Sequence, residues 1–148
     1  MPLDGAVVVM PGCEFPPVVP VTRWVDPTVD RIGFPVLDPY VELAWLPVIG
    51  PSATWMLRRL DSWLPTPSSR VEIDLSELGQ MLGLGSSVSP WSSVQRTMGR
   101  LVRFGLADWS GVLRVRGSVP PLSSRHLERV PEWVREAHVA LTAGRPAA

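Results

Sequence analysis

The sequence predicts an α+β fold, mostly helical, in three parts: an irregular proline-rich N-terminal arm over residues 1–37, a compact core over 38–120, and a C-terminal helical extension and tail over 121–148. Three observations lead there. Seven of the 17 prolines fall in the first 38 residues, where PPVVP and VDP interrupt any sustained period. Between Pro51 and Arg103, apolar residues recur at three- and four-residue steps in separate stretches. Short runs such as Val71-Glu72-Ile73 alternate in character and sit between turn signals, as strands do. At 148 residues and 45% hydrophobic, the chain is long enough for one core that buries about 70% of its unfolded surface.

The arm is not simply polar. Trp24, Val25, Ile32, Phe34 and Leu37 carry apolar surface that favours a groove, on the same chain or on another protein. Intramolecular packing, partner binding and disorder all remain open for it. Trp24 and Phe34 are candidate partner-binding residues.

From Pro39 to Leu46, PYVELAWL fits a short helix that Pro47 and Gly50-Pro51 keep from running on. Pro51 then suits the first turn of the next helix, where no internal amide bond is lost. Ala53, Met56, Leu57, Leu60, Trp63 and Leu64 mark its inner face, and Trp55 and Trp63 read as core or interface anchors. After PTPSS comes the strand at Val71–Ile73. Asp74 and Glu77 have the spacing of a helix cap with a reciprocal carboxylate contact, and Leu75, Leu78, Met81 and Leu82 form one apolar face behind them. GLGSS ends that helix.

In SPWSSVQRTMGRLVRFGLADW, Ser89 is placed to cap a helix with Pro90 in its first turn. Val94, Met98, Leu101 and Val102 point inward, while Arg96, Arg100 and Arg103 share a second face. Gly105 stops the helix. Leu106, Ala107 and Trp109 lead into a strand, Ser110-Gly111 turns, and Val112, Leu113 and Val115 return. Helix, short strand, helix, helix and hairpin is the order of a winged helix-turn-helix. Beyond it, Ser123 and Ser124 offer caps for helical segments at 124–130 and 131–142. These are either two helices or one bent at Pro131. Leu127, Val130, Trp133, Val134, Ala137 and Leu141 make this a packing element, with Trp133 a third candidate for partner contact.

Charge adds an asymmetry to this order. All 14 cations are arginines against 14 carboxylates, for a net charge of zero, which excludes a uniformly basic coat. Residues 1–85 hold 5 arginines and 10 acids, a net of −5, and residues 86–148 hold 9 and 4, a net of +5. The basic half therefore contains the second helix of the helix-turn-helix pair and the hairpin. If that helix enters a DNA major groove, Ser92, Ser93, Gln95 and Arg96 are the base-edge candidates, because Gln pairs with adenine, Arg with guanine, and Ser with either. Arg100 and Arg103 lie farther along and suit phosphates, as do Arg114 and Arg116 on one strand face. The same arginines would equally serve as a solvated face with local ion pairs.

Taken together, WVDPTVDRIG, DPYVELAWLPVIGPSATWMLRRL, DLSELGQMLGLG, SPWSSVQRTMGRLVRFGLADW and LRVRGSVPPLSSRHLERVP make the chain, over about residues 22–139, resemble a group of small actinobacterial and actinophage proteins assigned a winged helix. The resemblance implies a fold and a bacterial or bacteriophage setting, with no reaction or ligand attached. The neutral total charge and the large apolar arm depart from ordinary DNA-binding winged helices and keep a protein-binding role open.

Catalysis has little support. His126 and His138 are separated by Pro131, Glu128, Glu132 and Glu136 fit a solvated helical stripe, and the lone Cys13 has no sequence-near histidine and no partner for a disulfide. No phosphate-binding, zinc or paired-cysteine motif is present. No enzyme activity, metal or cofactor is expected. The opening MPLDGAVVVMPG lacks the basic flank and long apolar run of a secretion signal, and no stretch approaches 18 apolar residues, so a soluble cytoplasmic protein without a membrane partner is expected. The leading expectation is a small regulatory protein that binds double-stranded DNA with the 91–103 helix and the 109–116 hairpin. The alternative is a non-catalytic protein-interaction module on the same scaffold, and a homodimer fits either.

Overall fold

The segment read as an irregular arm contains the strand on which the sheet is built. In the computed structural model, which describes residues 14–145, β1 (Val18–Trp24) lies between two partners. It pairs antiparallel with β3 (Arg70–Asp74) and parallel with β5 (Leu113–Arg116). With β4 (Ala107–Trp109) antiparallel to β5, the four-stranded order is β3-β1-β5-β4. Val19 and Val21 are fully buried, as period-two alternation requires of a strand with one face on the core. Pro20 is tolerated because the β5 register starts only at Val21. The missing N–H thus falls where β1 has a single neighbour, the sheet position that accepts proline.

Asp26 caps α1 (Pro27–Ile32), accepting a hydrogen bond from the Val29 N–H at 3.3 Å, with Pro27 in the first turn. A two-stranded ladder follows, β2 (Phe34–Pro35) against β6 (Ser118–Val119). Gly33 permits it, because a Cβ there would collide with the Val119 carbonyl of β6.

The stretch from Val41 to Trp45 is a single π-helical segment that runs directly into α2 (Leu46–Ile49). The expected interruption comes at Gly50, with φ of 86°, while Pro47 is absorbed in the first turn of α2. Next is α3 (Pro51–Ser62), which buries Ala53, Thr54, Met56, Leu57 and Leu60, leaves Trp55 exposed and half-buries Trp63 beyond its end.

Asp74 caps α4 (Leu75–Met81) through the Glu77 N–H at 3.1 Å, as the spacing predicts. Leu75 and Leu78 are core residues, but Met81 is exposed at the end of the helix rather than packed.

The connection to α5 (Ser93–Arg103) spans residues 82–92. Its N-cap is Ser92 rather than Ser89, which instead closes a turn through its carbonyl and the Ser92 N–H. Val94, Met98 and Leu101 face inward as expected. Gly105 ends this region with φ of 74°, and Gly111, at 86°, makes the β4–β5 turn.

At the C-terminal side two separate helices form, α6 (Ser124–Leu127) capped by Ser123 and α7 (Glu132–Thr142) entered through Pro131. Val130 and Val134 are buried, and Leu127 and Leu141 pack this extension against the core.

The fold is α+β. One hydrophobic core runs from Phe15 and β1 through the π-helical segment, α3, α4, α5 and the hairpin to Leu122. From α3 to β5 the expected order of elements is present, yet β3 and β5 are held apart by β1. No helix among the described residues is long and apolar enough to cross a membrane. Cys13 and the opening MPLDGAVVVMPG lie outside the described residues.

Candidate nucleic-acid interface

Helix α5 divides its residues by environment. At about 100° per residue, Arg96, Arg100 and Arg103 lie within about 60° of one another. Arg96 and Arg103 are exposed, and Arg100 is half-buried with its guanidinium 3.4 Å from the Ile49 carbonyl at the end of α2. A cation at a helix C-terminus is favourable there. None of the three has a carboxylate within 4 Å among the described residues.

The base-edge candidates at the start of the helix are mostly withdrawn. Gln95 is 1% exposed. Its Oε1 accepts from the Phe15 N–H at 2.8 Å, and its Nε2 donates to the Phe15 carbonyl at 2.7 Å and to the Val88 carbonyl at 3.3 Å. The amide thus pairs with one residue's backbone as a neighbouring strand would, and no base can reach it. The Ser92 hydroxyl is also buried, without a partner among the described residues. Ser93 is half-buried, which leaves Arg96 as the one fully presented candidate of that group.

The hairpin arginines are engaged too. Arg116 donates to Asp26 Oδ2 at 2.8 Å and to the Gly105 carbonyl at 2.7 Å, with its guanidinium carbon 3.7 Å from the Trp24 ring centre. Its hydrogen bond, with that of the Val29 N–H, holds the Asp26 carboxyl below the usual carboxylate range. Asp26 therefore serves both the start of α1 and the side of β5. Arg114 stands 4.8 Å over the same Trp24 ring and pairs with Asp108 at 2.9 Å, but it is exposed. Such a surface pair is weak enough to be exchanged for a phosphate.

Of the three aromatic partner candidates, Trp24 is stacked under these guanidiniums and Phe34 is core. Phe34 is 3% exposed, lies parallel to Tyr40 at 3.8 Å, and has Arg145 over its ring at 3.9 Å. It is removed from the partner set because both ring faces are covered. Trp133 is 59% exposed, and so is open to contact. Trp91, 60% exposed just before α5, is a residue the sequence reading passed over. Its position two residues from the arginine helix was the available signal.

The histidines have separate duties. The Tyr40 hydroxyl accepts from the Leu122 N–H at 2.8 Å and is hydrogen-bonded to His138 Nδ1 at 2.6 Å, tying α7 to the core. Burial lowers the His138 pKa and raises that of Tyr40. His126 sits against Trp45 and Phe104. No group of three metal-ligating side chains occurs among the described residues. Glu128, Glu132 and Glu136 are exposed, with Glu128 outside α7. Sequence reasoning also missed Arg23, half-buried and bound to Asp61 at 2.6 Å and to the Leu64 carbonyl, because those partners are about forty residues away.

Comparison of the chain with protein-family models, curated proteins and solved structures gives no match.

Proposed function

We propose that this chain is a small regulatory DNA-binding protein on a winged-helix scaffold, with β1 wedged between the first strand and the wing hairpin, and that it grips duplex DNA through the outer face of α5. The observation that carries the reading is the row Arg96, Arg100 and Arg103, set on the face opposite a buried one and free of carboxylate partners among the described residues. Guanidiniums so spaced suit successive phosphates. With Gln95 and Ser92 withdrawn into the protein, Arg96 is the principal base-reading side chain and the rest of the face positions the backbone. Sequence selectivity is accordingly modest. Arg114 adds a phosphate contact from the hairpin, and Arg116 acts as a structural residue.

The test is duplex affinity measured over a range of salt concentrations. Affinity falls steeply with salt, and the slope of log K against log salt shrinks by about one when Arg103 becomes alanine. Arg96→Ala also flattens what sequence preference exists. Binding that is absent at low salt, or insensitive to all of these changes, overturns the proposal.

A second reading has its own observation, the exposed Trp133 on α7 and Trp91 before α5. Exposed tryptophans suit the centre of a protein interface. This reading expects a nuclease-resistant complex that Trp133→Ala or Trp91→Ala dissolves. Deleting residues 1–37 is no test of it, since that removes β1 from the middle of the sheet.

A further inference from the structure

We propose that the cleft between α2 and the α6–α7 connection is a binding site for a small carboxylic acid with an apolar body. The inference does not rest on DNA binding. Pro47 and Val48 of α2, Phe104 at the end of α5, His126 of α6, and Arg129 and Val130 of the connection line a space of about 190 Å³. That is below the roughly 300–1,000 Å³ of sites for drug-sized ligands. It suits a ligand smaller than that class.

The lining divides by chemistry. Pro47, Val48, Phe104 and Val130 offer an apolar wall. Arg129 is exposed, has no carboxylate within 4 Å among the described residues, and shares the cleft with no acidic side chain. His126 supplies the second donor. Its ring is held by Trp45 at 5.8 Å and Phe104 at 5.6 Å, and its Nδ1 is buried without a partner among the described residues. A proton on Nδ1 would be an orphaned donor, and a buried N–H is the costlier group to leave unpaired. That favours the tautomer with its N–H at Nε2, the nitrogen left to meet a ligand. One guanidinium, one imidazole N–H and no competing carboxylate beside an apolar wall select an anionic head on an apolar body. Phe104 is also the C-cap of α5, so an occupant would touch the end of the arginine-bearing helix.

The experiment is a titration of the full-length protein with benzoate, followed by NMR chemical shifts, with benzyl alcohol as the neutral comparator. Benzoate produces saturable shifts centred on Val48, Phe104 and Val130. Benzyl alcohol binds about tenfold more weakly, and Arg129→Gln weakens benzoate by about the same factor, the scale of one lost charge-assisted contact. Arg125→Gln, an exposed arginine on α6 outside the cleft, leaves benzoate binding unchanged. Three results overturn the proposal: no saturation with benzoate, equal binding of the alcohol and the acid, or equal loss from Arg125→Gln and Arg129→Gln. Each concerns direct binding of a small molecule, so failure here is separable from failure of the DNA reading.

Discussion

The side-chain amide of Gln95 forms a two-way hydrogen-bonded pair with the main chain of Phe15, eighty residues earlier. It joins the buried face of α5 to the stretch that leads into β1. Truncating Gln95 to alanine orphans the N–H and carbonyl of Phe15 in a site closed to water. The expected cost is about 1–3 kcal/mol, the usual penalty for a buried polar group left unsatisfied. Chemical denaturation measures it, and a variant as stable as the parent refutes the clamp. Since Gln95 is buried, the proposed DNA binding predicts that the folded variant keeps the parent's salt slope.

Arg103 and Arg116 should separate binding from stability. On the proposed DNA-binding reading, Arg103→Ala lowers the salt slope of duplex binding by about one and leaves the thermal midpoint unchanged. Arg116→Met does the reverse, because it removes the Asp26 ion pair, the Gly105 contact and the stack on Trp24. Thermal melts beside affinity measurements at several salt concentrations decide. A slope change from Arg116→Met with no loss of stability would return that arginine to the DNA-contacting set.

What could be read in the sequence was set by locality. The faces of α3 and α5, the Asp74 and Ser123 caps and the glycine-ended hairpin depend on neighbours within about four residues, and the structure has them. β1 was missed because Pro20 and the prolines just before it speak against a strand locally, while the pairing that overrides them lies about fifty and ninety residues away. Gln95 looks like a surface amide for the same reason. Phe34 looks like a partner residue until Tyr40 and Arg145 close over it. Arg96 and Arg103 were legible because a charged side chain without a buried partner stays outside.

Tyr40 and His138 give the protein a pH-dependent fastening of α7. Burial lowers the folded pKa of His138 below its ordinary 6.5, so between those two values the unfolded chain holds more protons than the folded one. Stability from this site is then fully present above pH 6.5 and declines as pH falls through the window. His138→Gln flattens that part of a stability–pH curve. Asp26 contributes in a separate range, since its folded pKa lies below 3.8 and its stabilisation is lost only as pH drops through that lower region. Tyr40→Phe orphans the Leu122 N–H and costs about 1–3 kcal/mol at neutral pH. An unchanged curve for His138→Gln below pH 6.5 would remove the fastening.

Gly33 is required by steric fit rather than by an unusual φ. It has φ of −87°, open to any residue, but a Cβ would meet the carbonyls of Val119 and Val29. Both are backbone atoms and cannot rotate away. Gly33→Ala should cost about 1–3 kcal/mol through overpacking and loosen the β2–β6 ladder. A thermal midpoint equal to the parent's would show that this ladder yields without strain.

The sharpest test of the architecture is hydrogen exchange in β1. An irregular arm would exchange its amides at low protection, independently of the core. A strand bonded on both sides cannot, because opening it strips β3 and β5 of partners at once. The amide of Val21 should therefore match that of Val115 and exchange only through global unfolding, while α7, fastened through Leu141 and the Tyr40–His138 bond, opens earlier. Because β1 joins residues so distant in sequence, its pairing also carries a large loop-closure cost before any contact compensates it. Val21→Ala should then accelerate unfolding more than it slows folding, as expected of a strand seated late. Early exchange at Val21 would detach β1 from the sheet, and with it the clamp that buries Gln95 against Phe15.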